Sequence, residues 1–185
     1  MGFLTRAQID AIGFKSIGVN VLISDKSSIY NPQNISIGSN VRIDDFCILS
    51  AGEKGIEIGN FIHIACYVSL LGSELIKLYD FIGISSRTAV YSSSDDYSGN
   101  FLTGPTINVK FKNVDNRPVV FHSHSIIGVG SVILPGVEIG EGTAVGALSL
   151  VTKNLNSWSI YSGAPARFMK TRSKKMLDFI DKLNT

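Results

Sequence analysis

An apolar residue recurs every six positions between Val120 and Asn156. The anchors of this repeat are Phe121, Ile127, Ile133, Ile139, Val145 and Val151. A period of six fits neither an amphipathic helix nor an isolated amphipathic strand. It fits a chain that winds in coils of three short strands, with one anchor of each strand pointing inward. The sequence therefore predicts an all-β solenoid.

Two further positions of the repeat carry a pattern. Gly directly follows the anchor at Gly128, Gly140 and Gly146. The residue four positions after each anchor is mostly small, and these residues are Ser125, Ser131, Val137, Thr143 and Ser149, with Leu155 the larger exception. One explanation for these glycines is conformational, because tight corners need positive φ, and it is compatible with a binding role at the same positions.

Earlier repeats begin at Ile17 and change phase about once per coil. Their anchors are Ile17, Ile23, Ile29, Ile35, Ile37, Ile43, Leu49, Ile58, Ile64, Leu70, Leu78, Ile84 and Val90. The largest interruption is the polar, turn-rich segment 92–118. Long loops in compact domains are uncommon and are often functional. We therefore expect an ordered arm that helps form a site against a neighbouring subunit, with a tolerated surface insertion as the alternative.

The chain ends carry helical patterns, and we predict one domain over residues 1–185. Residues 1–16 are expected to cap the first coil with a short helix, for which Thr5 is the N-cap and Gly13 the stop. Residues 17–168 are expected to form the β-helix, with residues 92–118 as a loop. Residues 169–185 are expected to form a C-terminal helix, roughly Ser173–Leu183, that braces the open end.

Composition narrows the function. The 185 residues are 44% hydrophobic with a net charge of +2, which argues against disorder and against a nucleic-acid partner. Nothing near the start resembles a secretory signal and no apolar run approaches about 20 residues, so we predict a cytoplasmic protein without a membrane span. Cys47 and Cys66 are interpreted as buried small residues, neither a disulfide nor a metal pair.

The repeats and the tail V-T-K-N…S-G-A-P-A-R, Val151–Arg167, resemble the hexapeptide acyltransferases. The likeness runs from about Ile17 to Lys170. The stretch V-Y-S-S-S-D-D-Y-S-G, Val90–Gly99, is similar to the acyltransferases of O-antigen and capsule biosynthesis. This resemblance implies a left-handed parallel β-helix and a homotrimer. It also implies acetyl-CoA in the groove between two β-helices, and a sugar or nucleotide-linked amino sugar as acceptor.

Acyl transfer from a thioester needs a base, an oxyanion donor and a firm hold on the donor. Histidine is the natural base near neutral pH. His63 directly precedes anchor Ile64, so it should point outward, where the intersubunit grooves lie. We predict that His63 is catalytic; an ordinary exposed or interface histidine, or one that only contacts substrate, is the alternative.

At Asp95 this chain departs from the pattern of the family. The sugar acetyltransferases usually carry a catalytic histidine in a T-H-P segment, and aligning that segment with Val90–Asp96 places Asp95 at its position. Either Asp95 serves with His63, by orienting it or binding substrate, or the base has relocated to His63. Asp96 and Tyr97 are predicted to bind substrate, and the acidic pair suits the ammonium of an amino sugar. The alternative for the acidic pair is a solvated turn.

His122 and His124 lie two positions apart after anchor Phe121, so they are expected to share the outer face and could ligate a metal. Zinc carbonic anhydrases with this fold use three histidines, but their spacing is wider. No metal is therefore predicted, and a hydratase is a minor alternative. A β-helical scaffold that has lost catalysis is the non-enzyme alternative, which the departure at Asp95 keeps open.

The resemblance also implies where coenzyme A is held. The predicted contacts are Gly128, Gly146, Ala147, Lys153, Gly163, Ala164 and Arg167, with Lys153 and Arg167 facing the phosphates. Trp158 and Tyr161 are expected either to pack on the adenine or to close the end of the solenoid. The sequence thus predicts an acetyl-CoA-dependent O- or N-acetyltransferase of surface polysaccharide (lipopolysaccharide or capsule) synthesis.

Overall fold

Three parallel sheets wrap into a β-helix in the computed structural model, which describes residues 2–180 and 182. The first sheet contains β1 (Ser16–Ile17), β4 (Ile35–Ile37), β7 (Ile56–Ile58), β10 (Ile76–Leu78), β15 (Val119–Phe121) and β18 (Glu138–Ile139). The second contains β2 (Val21–Ile23), β5 (Val41–Ile43), β8 (Ile62–Ile64), β11 (Gly83–Ile84), β16 (Ile126–Ile127), β19 (Ala144–Val145), β21 (Ser159–Ser162) and β22 (Arg167–Thr171). The third contains β3 (Ser28–Tyr30), β6 (Ile48–Ala51), β9 (Ser69–Gly72), β12 (Ala89–Tyr91), β17 (Val132–Ile133) and β20 (Leu150–Val151).

The predicted anchors form the core. Each strand pairs in parallel with the strand one coil further on, so Ile43 lies beside Ile64 and Ile84 beside Ile127. Every predicted anchor is buried except Ile17 and Ile29, which are half-buried in the first coil. Burying one such side chain stabilises the fold by about 1.5–3 kcal/mol, so the stacked columns provide the main driving force.

The small residues four positions after the anchors are also buried. Ser131 Oγ donates a hydrogen bond to the Gly128 carbonyl at 2.8 Å, and Ser149 Oγ donates to the Gly146 carbonyl at 2.7 Å. A hydroxyl at this position therefore satisfies a backbone acceptor inside the corner.

The expected reason for the repeat glycines is wrong at Gly128 and Gly146, because neither has a positive φ. A Cβ on Gly128 would lie 2.5 Å from the Ala147 amide nitrogen, and one on Gly146 would lie 2.6 Å from Ser162 Oγ. Successive coils approach so closely here that a side chain does not fit. Glycine is required by the stacking of coils at these positions.

The N-terminal cap is confirmed as a helix, α1 (Arg6–Ile12). Thr5 and Gln8 form a reciprocal capping box, and Gly13 ends the helix in the left-handed conformation. Ile9 is buried against the first coil.

The predicted C-terminal helix over Ser173–Leu183 is wrong in its start and type. The chain instead continues as β22, antiparallel to β21, and then forms a short 3₁₀ helix over Lys175–Phe179. Strand β22 pairs the open edge of the second sheet, whose backbone groups would otherwise lack partners. Positions 181 and 183–185 lie outside the described residues.

Segment 92–118, the arm, leaves the corner between the third and first sheets. It is ordered: β13 (Ser93–Ser94) pairs antiparallel with β14 (Asp115–Asn116) at its base, and a 3₁₀ helix covers Val109–Phe111. A further 3₁₀ helix covers Pro32–Asn34. Across residues 2–180 and 182, no helix has the length and apolar character needed to cross a membrane.

Candidate active site

His63 lies on the outer face of the second sheet, as predicted, with 53% of its side chain exposed. Its neighbour across the sheet is Arg42 of β5. Asp44 follows β5 directly and reaches between the two side chains. Asp44 Oδ2 lies 2.7 Å from His63 Nε2, and Asp44 Oδ1 accepts from Arg42 Nε at 2.6 Å. The three residues form a network that holds the imidazole.

Asp44 is buried, with 7% of its surface exposed. Burial raises the pKa of its carboxyl, but the hydrogen bonds from His63 and Arg42 outweigh that effect. The pKa of Asp44 is therefore lowered, so the carboxylate remains ionised at neutral pH.

A cavity of about 260 Å³ opens beside His63. It is lined by Ala65, Gly83, Ile84, Ser85, Ser86 and Ile126. Gly83 faces outward in the coil after His63, and its missing side chain leaves room beside the imidazole. The cavity is thus a place where a substrate group can approach the ring.

Asp95 lies at the base of the arm, in a second cavity of about 400 Å³. This cavity is lined by Tyr91, Ser93, Ser94, Tyr97, Val132 and Leu134. Asp95 Oδ2 accepts a hydrogen bond from the Gly104 amide at 3.2 Å, which ties the carboxylate to the far side of the arm. Tyr97 is 93% exposed and lines the same cavity.

The Asp96 carboxylate accepts hydrogen bonds from Ser98 within the same turn. Its Oδ1 accepts from the Ser98 amide at 3.2 Å, and its Oδ2 accepts from the Ser98 hydroxyl at 2.6 Å. These bonds lower the pKa of Asp96. The geometry favours the turn over a substrate contact for this residue, whereas Asp95 faces a cavity.

His63 and Asp95 are not brought together within one chain. His63 lies on the second sheet and Asp95 beside the third, and the two residues line separate cavities. The suggestion that Asp95 orients His63 is therefore not supported within a single chain. Asp44 occupies that position.

Lys153 and Arg167 are brought together at the end of the solenoid. Both line a cavity of about 170 Å³, with Thr152, Ala166 and Phe168 among its other residues. They form a cationic end suited to phosphate groups.

The remaining predicted CoA contacts follow the same coil. Gly163 accepts from the Leu150 amide and donates to Ser149 Oγ, so Gly163 and Ala164 adjoin the third sheet. Ala147 is exposed one corner away, next to Gly146 and beneath Gly128. The seven residues thus border the last strands of the third sheet on two sides.

His122 and His124 do not share a face, contrary to the expectation. His122 stacks on Tyr79, with ring centroids 5.4 Å apart. His124 adopts a positive φ at the corner and is buried between Phe81 and Trp158. Because the corner turns His124 away from the strand, the pair cannot chelate one ion. In the part of the chain that the structure describes, no three His, Cys, Asp or Glu side chains form a metal-binding group.

Trp158 and Tyr161 close the end of the solenoid. The Trp158 ring lies against Gly142 and His124, and Lys174 lies over its other side. Tyr161 is buried, and its hydroxyl accepts from the Asn156 amide at 3.2 Å. The contacts of Trp158 and Tyr161 within the chain therefore favour closing the end of the solenoid over packing on the adenine.

Sequence reasoning missed Asp44, Arg42 and the serines Ser85 and Ser86. A signal was present: Arg42 and His63 both stand directly before an anchor in successive coils, and Asp44 directly follows the anchor Ile43. Polar residues on both sides of one anchor, facing a histidine one coil away, indicate a supported imidazole.

Comparison with known proteins gives full-length relatives, although no protein-family model matches the chain. The dTDP-4-amino-4,6-dideoxy-D-glucose acyltransferase of Escherichia coli is 47% identical over 178 residues, 96% of this chain and 93% of the relative. AntD, an N-acyltransferase from Bacillus cereus, is 50% identical. Its structure as an aspartate-to-asparagine variant with dTDP and coenzyme A matches with a TM-score of 0.96, over 100% of this chain and 98% of AntD.

Other AntD complexes contain further ligands. A serine-to-cysteine variant with dTDP-4-amino-4,6-dideoxyglucose and coenzyme A matches with 51% identity and a TM-score of 0.95, over 98% of this chain and 96% of AntD. AntD has also been solved with dTDP and 3-hydroxybutyryl-CoA, with 50% identity, a TM-score of 0.92 and coverage of 99% and 98%. The expected fold is thereby confirmed. The chain belongs to the hexapeptide-repeat, left-handed β-helix family of CoA-dependent acyltransferases.

Proposed function

We propose that the protein transfers an acyl group from an acyl-CoA thioester to the amino group of a dTDP-linked 4-amino-4,6-dideoxy sugar. One observation carries this proposal: nearly the whole chain matches proteins that act on or bind this sugar nucleotide. It selects N-acylation from the two reactions that the sequence left open. The carboxylate of Asp95 in a cavity at the base of the arm fits an amino group that arrives as an ammonium ion.

We also propose a homotrimer, which is supported by the way in which polar and apolar side chains are distributed over the outer faces of the three sheets. The outer face of the first sheet is mostly polar, with Val120 as an apolar exception, and carries an ion pair between Lys77 and Glu57 at 2.9 Å. The corner between the second and third sheets exposes the large apolar side chains Phe46, Tyr67, Val129 and Leu148, and the adjacent strand β16 exposes Ile126. Exposed apolar surface of this extent indicates an interface. Three copies that pack with this corner inward would bury it and leave the charged sheet in water.

Such an assembly would place the second sheet of one copy against the third sheet of the next. His63 on the second sheet and Asp95 beside the third would then face one groove. The active site is accordingly proposed to lie between subunits, with His63 from one copy and the arm from its neighbour.

The proposed chemistry is direct attack. Asp95 binds the ammonium, which releases one proton to solvent to give the attacking amine, and His63 accepts the second proton, which the nitrogen loses as the C–N bond forms. The amine forms a C–N bond to the thioester carbonyl carbon, and main-chain amides of the groove stabilise the resulting oxyanion. The C–S bond then breaks, and the departing thiolate takes up the proton held by His63. No covalent enzyme intermediate is needed.

Lys153 and Arg167 are proposed to bind the phosphates of the donor. The pantetheine arm would run along the last strands of the third sheet, past Gly163 and towards Gly146 and Ala147. Both acetyl and 3-hydroxybutyryl donors are compatible with this path, because the acyl group lies at the opposite end from the phosphates.

The experiment incubates the protein with acetyl-CoA or 3-hydroxybutyryl-CoA and dTDP-4-amino-4,6-dideoxyglucose. Release of free thiol is followed, and mass spectrometry locates the acyl group on nitrogen. A matched acceptor with hydroxyl in place of the amine serves as control. We expect turnover with the amine only. Turnover with the hydroxyl acceptor, or with neither, would contradict the proposed reaction.

The acylated sugar nucleotide is proposed to supply a glycosyl transfer in surface polysaccharide assembly, and the enzyme to work in the cytoplasm. Both substrates are polyanions that do not cross membranes unaided, which supports a reaction in the compartment where acyl-CoA is made. Cell fractionation with an antibody against the protein tests this location.

A further inference from the structure

We infer that Asp44 is the positioning residue of the reaction: it fixes the tautomer and orientation of His63 so that the ring nitrogen Nδ1 accepts the substrate proton. This inference rests on the proposed function, in which His63 is the base. Asp44 contacts no reacting atom; it acts through the imidazole.

The protonation state of the pair follows from the contacts. Asp44 accepts from Arg42 through one oxygen and lies 2.7 Å from His63 Nε2 through the other. An ionised carboxylate can only accept hydrogen bonds. The hydrogen of the neutral imidazole must therefore lie on Nε2, which leaves the lone pair on Nδ1. Within the described residues, Nδ1 has no hydrogen-bond partner.

The orientation follows from the register of the β-helix. Arg42 and His63 are paired across two successive coils, so their side chains leave the sheet side by side. The Asp44 amide donates to the Ile64 carbonyl at 2.9 Å, which fixes the backbone next to His63. The ring is thus held through Nε2, and His63 lines the cavity together with Ser85, Ser86 and Ile126.

The burial of Asp44 separates this network from an ordinary surface ion pair. Exposed ion pairs contribute little to stability, whereas a buried carboxylate loses hydration and is tolerated only when its partners are well placed. Arg42 and His63 are the charged or titratable groups that supply hydrogen bonds here. When His63 accepts the proton, the carboxylate also stabilises the imidazolium that forms.

The test substitutes Asp44→Asn, which keeps the size of the side chain but replaces an obligatory acceptor by a group that can donate. An amide NH₂ facing Nε2 favours the opposite tautomer, with hydrogen on Nδ1. We expect kcat to fall by about 10²-fold or more, as expected for loss of a general base, while KM for the acyl-CoA changes little. Asp45→Asn is the matched control, because Asp45 bonds to Ser24 and Lys26 instead.

A double variant with both Asp44→Asn and His63→Asn tests whether the effect of Asp44 on activity depends on His63. If Asp44 acts only through His63, then Asp44→Asn should cause no further loss in a His63→Asn background. Additive losses, or a single Asp44→Asn variant within about threefold of the parent activity, would overturn the inference.

A readout independent of turnover separates this inference from the proposed reaction. The protein has three histidines, so ¹⁵N NMR of the imidazoles can be assigned with the His63→Asn variant. We expect the Nε2–H tautomer for neutral His63 in the parent protein. Nδ1–H would overturn the inference even if the enzyme is active, and Nε2–H would stand even if the acceptor proves to be a different sugar. This measurement needs no folded Asp44 variant.

Discussion

The rings of Phe61 and Phe81 lie face to face one coil apart, with centroids 4.8 Å apart and planes inclined by 3°. The stack continues through His124 to Trp158 along the corner between the first and second sheets. All four residues have positive φ between 55° and 65°. Asparagines occupy the same corner at the start, where the Asn20 side chain donates to Asn40 at 3.1 Å. Stacking in the later coils offsets the strain of a left-handed backbone.

Phe81→Ala is expected to lower the free energy of unfolding by about 2 kcal/mol, because two stacking contacts are lost while the left-handed strain stays. Phe81→Gly loses the same contacts but relieves the strain, so it should be less destabilising than Phe81→Ala by about 1 kcal/mol. This order reverses the usual one for these two residues. Denaturant unfolding of the unsubstituted protein and the two variants measures these free energies of unfolding. If Phe81→Gly were less stable than Phe81→Ala, left-handed strain at this position would not be the reason for the difference.

The core could be predicted from the sequence because the solenoid repeats the same environment every six residues. Ile64 and Ile127 are interior for the same reason as their neighbours, so a local pattern is enough to place them. The outward direction of His63 follows from strand alternation in the same way.

Contacts between coils could not be predicted with equal success. Whether Asp44 reaches His63 depends on the length of the slip that separates their coils, and a one-residue shift in the register of β8 would turn His63 to the opposite face of the strand. The corner position of His124 and the antiparallel return of β22 are likewise set by distant parts of the chain. Periodicity alone contains no information on such pairings.

Asp95 and Asp96 are adjacent but are expected to differ in function. Asp95→Asn should lower kcat/KM for the amino sugar by about 10²-fold, because its carboxylate faces the cavity and would bind the ammonium. Asp96→Asn should remain within about threefold of the parent, since both oxygens already serve the turn at Ser98. Steady-state kinetics at fixed acyl-CoA compare the two. Equal losses would show that the turn, and not the carboxylate of Asp95, is what the substrate needs.

Lys153→Ala and Arg167→Ala are each expected to raise the Kd for coenzyme A by about tenfold, through loss of a charge-assisted phosphate contact. The effect should weaken as salt is added, because phosphate binding by exposed cations is screened. Lys170→Ala is the matched control, since this exposed lysine in β22 does not line the cavity. Calorimetric titration gives the affinities. Turnover with a truncated pantetheine thioester should be unchanged in both variants; a loss there would contradict the assignment to the phosphates.

Cys47 and Cys66 are expected to differ in their reactivity towards a disulfide reagent, because Cys47 is buried and Cys66 is half-buried. Cys47 is fully buried, and its thiol donates to the Ala65 carbonyl at 3.1 Å. Burial raises the pKa of this thiol to about 11, against an ordinary value of 9.0. A disulfide reagent should therefore label Cys66 in the native protein and reach Cys47 only after unfolding.

The raised pKa of Cys47 also determines how the free energy of unfolding changes with pH. Between about pH 9 and pH 11 the folded protein holds a proton on Cys47 that the unfolded chain has released, so the stabilisation present below pH 9 is lost as the pH rises. In this window the slope of unfolding free energy against pH should be more negative in the parent than in Cys47→Ala, by at most about 1.4 kcal/mol per pH unit for one proton. Identical slopes in the parent and Cys47→Ala would mean that Cys47 does not titrate with folding.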